Sequence, residues 1–120
     1  MTMANDQKTD AYLCGRLYAA LAELGRLAEG DHHSLSRSEV QRKLLLEPSK
    51  HLTVHLHLAG KYLHMATAGN RGGHAAAVFR SLPDLLPSGR DLPGSLRDSA
   101  LQERFHEGVA VQKAEIEKSR

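Results

Sequence analysis

His51 and His55 stand four residues apart, one helical turn, a spacing at which two imidazoles can share a metal ion. A zinc site needs three or four ligands. The segment His51-Leu-Thr-Val-His55 lacks the glutamate of a metalloprotease helix, and the single Cys14 contributes no ligand pair. The preferred reading has these histidines facing solvent or an anionic partner, with partial positive charge below neutral pH. Nucleophilic catalysis finds no local support, since no Gly-x-Ser-x-Gly elbow occurs. Glu103 and Glu107 lie at helical spacing beside Arg104, which reads as a solvated face. Gly69-Asn-Arg-Gly-Gly73 lacks the lysine and the preceding strand of a phosphate loop. It would let a backbone pass close to phosphates, with Arg71 adding charge, but a plain linker is the simpler reading.

The basic residues carry more. The net charge of +2 is unevenly spread: residues 31–80 hold seven basic against three acidic side chains, and seven of the eight histidines. A local positive field attracts polyanions even when net charge is small; the plain alternative is a solvated surface of mixed charge. Arg42, Lys43, Lys50, Lys61, Arg71 and Arg80 fall in this stretch, and Lys113 lies beyond it. Few aromatics are interleaved, so base stacking is not supported. Contacts would go to phosphates, independent of sequence and sensitive to salt.

The elements that must position these side chains read as helices. The first follows a Thr9 or Asp10 cap, with an apolar stripe at Leu13, Leu17, Leu21, Leu24, Leu27 and Ala28. Gly15 and Gly25 lower helix propensity but allow another helix to approach, and Gly30 can end the helix left-handed. Ser36 and Glu39 form a capping box for a second helix over about 37–46, which Pro48 ends. The third runs from about Ser49 to Thr67, with Leu52, Leu56, Ala59, Leu63 and Ala66 inward. Alternation over Leu52–Leu58 also permits a strand, but the longer period and the lack of a turn signal favour helix. A fourth covers about 74–82, with Val78, Phe79 and Leu82 inward. A proline-rich loop follows, pinned to the core by Leu85, Leu86 and Leu92. The last helix spans about Leu96 to Lys118, with Leu101, Phe105, Val109, Gln112 and Ile116 on one side.

A chain of 120 residues suits one domain with a single modest core. With no Trp, two Phe and three Tyr, leucine and alanine must fill that core, as is common in helical bundles. One cysteine permits no intrachain disulfide, which fits a reducing cytosol. No apolar run approaches the ~20 residues of a membrane span, and the N-terminus lacks signal-peptide character.

Three stretches carry a family resemblance. The first is Ala11-Tyr-Leu-Cys-Gly-Arg-Leu-Tyr-Ala19; the second runs from Glu47-Pro-Ser-Lys50 to Gly60-Lys-Tyr-Leu63; the third is Glu103-Arg-Phe-His-Glu-Gly-Val-Ala-Val-Gln-Lys113. In this order they resemble the C-terminal helical region of the large subunit of type I-C CRISPR Cascade complexes. That region opens a helix with Tyr-Leu-x-Gly-Arg-Leu, continues with a proline-led helix, and ends in Arg-Phe-x-x-Gly-Tyr-Tyr-His-Gln-Arg. Arg104, Phe105, Gly108 and Gln112 match the ending, and Lys113 keeps its charge. Val109-Ala110-Val111 replaces Tyr-Tyr-His, and the second stretch keeps only the apolar skeleton.

The resemblance implies that this region exists as a separate polypeptide, the Cascade small subunit, made by internal translation of the large-subunit gene. It implies a non-catalytic, cytoplasmic role in antiviral defence, with no cofactor. Its partners would be the backbone subunits, the large subunit, a second copy of itself, and crRNA-guided target DNA, above all the displaced single strand. Guide pairing would supply specificity while protein contacts to the backbone tip the strand exchange. A recruited nuclease-helicase would do the cutting.

The expectation is therefore an all-α, single-domain bundle of about five helices, with residues 1–8 a flexible N-terminus and 9–120 the helical domain. Arg42, Lys43, Lys50, Lys61, Arg71, Arg80 and Lys113 are the candidate nucleic-acid contacts, some reaching phosphates and others pairing with neighbouring subunits. The rival is a helical protein–protein interaction module without nucleic-acid contact, whose binding would survive high salt. A small histidine-dependent enzyme or metal protein is the third reading.

Overall fold

No proline or glycine precedes Gly15, so nothing in the sequence stops a helix from starting near the N-terminus. In the computed structural model of the chain, which describes residues 3–30, 35, 38–86 and 92–118, helix α1 spans Met3–Glu29. Residues 3–8 are thus helical, so α1 begins ahead of the expected Thr9 or Asp10 cap. Gly30, at φ 94°, ends α1 left-handed as expected, its N–H donating to the Arg26 carbonyl at 2.8 Å.

Helix α2 spans Ser38–Leu46, and α3, Pro48–Ala68, follows after a bend at Glu47. Pro48 does not merely end α2: it is the first residue of α3, where its missing N–H has no helical acceptor to lose. Ser36 of the expected capping box lies outside the described residues. The alternation over Leu52–Leu58 is helical, with Leu52 buried but Val54 53 % exposed. Asn70, at φ 66°, turns the chain into α4, Gly72–Ser81, which tightens into a 3-10 turn over Leu82–Leu85. Among the described residues there is no strand, and five α-helices form an all-α bundle.

The last helix, α5, spans Ser99–Lys118, three residues short of the expected start. Two interactions explain this. The Leu96 N–H is committed to the Leu45 carbonyl at 2.8 Å, with the Leu96 side chain fully buried. Asp98 then caps α5, its Oδ1 accepting the Ala100 N–H at 2.8 Å. The Ser49 N–H also donates to the Pro93 carbonyl at 3.1 Å, so the segment before α5 straps the α2–α3 junction. Leu85 is buried and Leu92 half-buried as the pinning idea requires, but Leu86 points outward.

Helix α1 is the hub. It packs most extensively against α5, then against α3, then against α4 and the 3-10 turn, while α2 rests on α3. Cys14, Leu17, Leu21 and Leu24 are fully buried along it. Each such leucine contributes roughly 2 kcal/mol of burial. The Tyr18 hydroxyl donates to the Leu35 carbonyl at 2.5 Å, tying Leu35 to the core.

The contact between α1 and α5 is backbone to backbone. A Cβ at Gly15 would overlap the Phe105 carbonyl and reach the Val109 nitrogen at 2.9 Å. A Cβ at Gly108 would overlap the Tyr12 carbonyl and reach the Arg16 nitrogen at 3.0 Å. The helix-weakening glycine is thereby explained: its cost of about 1 kcal/mol relative to Ala is offset by close approach. Around the crossing, the Arg104 guanidinium lies 5.3 Å from the Tyr12 ring, and Arg16 Nε donates to Gln112 Oε1 at 2.9 Å. The Phe105 ring, fully buried, sits 5.7 Å from that of Tyr18.

Two predictions follow from this packing. Gly15→Ala and Gly108→Ala should each destabilise the fold by about 3 kcal/mol or more, since backbone must move. Gly60→Ala, in mid-α3 where a Cβ meets nothing within 4 Å, should instead stabilise by about 1 kcal/mol. Urea midpoints of the three variants check the contrast. The second concerns pH. Burial, with the Asp10 carboxylate adding, pushes the Cys14 thiol up to about 12 from 9.0. Burial also raises Tyr18, and burial with Glu29 raises Tyr62, both from 10.0. The stability these groups contribute is complete below pH 9 and is lost as pH rises toward 12, because only the unfolded chain ionises there. Urea midpoints should fall between pH 9 and 10, and Cys14→Ala should flatten that fall.

Candidate nucleic-acid interface

An α-helix brings residues three and four apart onto one face. On α3 the buried residues Leu52, Ala59, Tyr62 and Ala66 define the inward side. The opposite side carries Lys50, Val54, His57, Lys61 and His64 at steps of four, three, four and three, all of them exposed. At 1.5 Å per residue this stripe is about 20 Å long. The whole helix, Pro48–Ala68, contains no Asp or Glu, against two lysines and four histidines. Glu47, just before it, sits 3.9 Å from the Lys50 ammonium, but both side chains are exposed and such pairs are weak.

The histidines divide by helical phase. His57 and His64 belong to the outward stripe, which the emphasis on His51 and His55 missed. His51 is half-buried. His55 turns toward the core, its Nδ1 3.2 Å from the buried Tyr62 hydroxyl. Among the described residues, no three His, Cys, Asp or Glu side chains are placed to hold a metal ion.

The seven candidate cations do not form one patch. Lys50 and Lys61 share the α3 stripe. Arg42 and Lys43 are exposed on α2, which packs on α3, and Arg80 is exposed in the last turn of α4. Arg71, just before α4, donates from Nη1 to the Leu27 carbonyl at 3.3 Å and so helps to close the end of α1. Lys113 stands apart. It is exposed on α5, which makes no extensive contact with α3 and which also carries Glu103, Glu107, Glu115 and Glu117. There the local field is mixed rather than positive.

One polar cluster had no signal in the sequence. Glu23, only 8 % exposed on α1, accepts from Arg26 Nε at 2.7 Å and Nη2 at 3.0 Å. His74 Nε2, from the first turn of α4, lies 2.9 Å from Glu23 Oε2, the oxygen it shares with Arg26 Nη2. The Glu23–Arg26 spacing is visible along a helix, but His74 is far away in sequence and only the α3–α4 turn brings it in.

All five aromatic side chains are buried or half-buried, so none is offered as a stacking platform. Among the described residues, no helix is long and apolar enough to cross a membrane. Compared with known proteins, the chain matches no family model, no curated protein and no solved structure.

Proposed function

We propose that this chain is a non-catalytic nucleic-acid-binding subunit, of the kind found as the small subunit of type I-C CRISPR Cascade complexes. It stabilises an unwound DNA strand through sequence-independent phosphate contacts. The observation that carries the reading is the outward face of α3, where Lys50, Lys61, His57 and His64 are exposed on a helix without a carboxylate. A stripe about 20 Å long can follow a strand over several phosphates. With no exposed aromatic side chain, the phosphate is the group such a surface recognises. Arg42 and Lys43 extend the positive field from α2. The guide-complex assignment rests on the three sequence stretches resembling the large subunit. In it, neighbouring backbone and large subunits and a second copy would cover other faces. Lys113 has no part in the strand contact.

A second reading, docking of a protein partner, is favoured by one observation: Val54, in the middle of the same stripe, and Leu46 at the end of α2 are 53 % and 46 % exposed. Salt separates the two, since apolar docking is insensitive to it.

The test is fluorescence anisotropy of a labelled single-stranded oligonucleotide over a salt series. The logarithm of affinity should fall linearly with the logarithm of salt concentration. Changing Lys50 and Lys61 together to Ala should make the slope shallower by about 1.4, the value for two lost phosphate contacts. Lys113→Ala should leave the slope unchanged. Affinity independent of salt would exclude phosphate contact by this face.

A further inference from the structure

Pro48 is what keeps α2 and α3 from being one helix. In a continuous helix the Ser49 N–H would donate to the Leu45 carbonyl, four residues back. Proline has no N–H to give, and its ring disfavours helix at the residue before it. Glu47 accordingly stands outside both helices, at φ −141° and ψ 66°. The Ser49–Leu45 bond is lost at this bend, and residues 93–96 take up both of its ends. The Ser49 N–H donates to the Pro93 carbonyl at 3.1 Å, and the Leu45 carbonyl accepts from the Leu96 N–H at 2.8 Å. The segment before α5 thus fills, from another part of the chain, a gap that the proline opened in the helical ladder.

Among the described elements, α2 packs extensively only on α3, so these two bonds weigh heavily in its placement. It buries Leu44 and Leu45 and leaves Arg42 and Lys43 exposed. Its link to α3 is the single residue Glu47, and a hinge needs only a few residues to absorb a change in direction. Of residues 93–96, Leu96 alone is fully buried, while Gly94 and Ser95 are exposed. The same residues border a cavity of about 340 Å³ shared with Gln7 and Asp10, so they are not packed tightly against the start of α1.

We propose that α2 and residues 93–96 form a latch that opens as one unit about Glu47 while α1, α3, α4 and α5 stay packed. Each half holds the other. Release of Leu96 strips the Leu45 carbonyl and the Ser49 N–H of their partners, and departure of α2 removes the acceptor of Leu96. A unit held by few buried side chains opens before the whole fold does. An open latch takes Arg42 and Lys43 away from the α3 stripe, so the strand-contact face has a fixed part on α3 and a detachable part on α2. That consequence rests on the proposed function; the latch itself does not.

The test is native-state amide hydrogen exchange of the full chain, followed by NMR at low urea concentrations. The amides of Leu44, Leu45, Ser49 and Leu96 should share one protection factor, about tenfold or more below those of Leu21, Ala59 and Phe105. Leu96→Ala should lower protection at all four positions together, by about a hundredfold, the effect of truncating a buried leucine. Val109→Ala, beside the α1–α5 crossing, should lower the protection of Leu21 and Phe105 by about tenfold. It should leave the four unchanged, because the latch opens with that crossing intact. Four amides protected as strongly as the core, shifted by Val109→Ala, or split apart by Leu96→Ala overturn the latch. A saturating single-stranded oligonucleotide should raise the protection of the four by about tenfold through contacts with Arg42 and Lys43. Unchanged protection with the strand bound overturns the detachable part of the face. A strand that does not bind contradicts the proposed function alone, since the exchange pattern decides the latch without it.

Discussion

The fold depends on a contact with no side chains in it. At the α1–α5 crossing, Gly15 meets the Phe105 carbonyl and Gly108 meets the Tyr12 carbonyl, so the two backbones touch. Packing this close is possible only where both partners lack a Cβ. It fixes the position of Tyr12, Arg16 and Tyr18 against Arg104, Gln112 and Phe105, and it leaves the other sides of α1 to α3 and α4. A chain with two Phe and no Trp gains its core from such closeness and from leucine burial rather than from aromatic bulk.

That crossing also joins two stretches that stand far apart in the sequence. Tyr12, Gly15 and Arg16 in the first stretch meet Arg104, Phe105, Gly108 and Gln112 in the third. The residues that look most distinctive in the sequence are thus packing residues, held together across nearly the whole chain. The surface through which the protein acts must be sought on side chains that the crossing leaves outside, and α3 presents the most uniform of these.

Much of the fold was legible because it follows from periodicity. The stripe at Leu17, Leu21, Leu24 and Leu27 and the one at Leu52, Ala59 and Ala66 are buried as their spacing requires. The start of α5 was not legible, because it depends on the Leu96–Leu45 bond, a tertiary contact. Leu86 reads as an anchor by composition, yet the chain leaves the 3-10 turn in extended form and carries it outward. For the site, composition located the basic stretch but not its arrangement. Helical phase decides that His57 and His64 join Lys50 and Lys61 while His55 turns to Tyr62, and it could have been worked out from the inward stripe. The separation of Lys113 and the pairing of Glu23 with His74 could not, since both depend on how the helices are placed around α1.

The most direct measurement of the central claim is target-DNA binding by a guide-RNA complex of the type I-C kind, assembled with and without this chain. The account predicts weaker target binding without it, restored by the unaltered chain but not by one in which Lys50 and Lys61 are Ala. Full binding in its absence would contradict the proposed role as a strand-holding subunit.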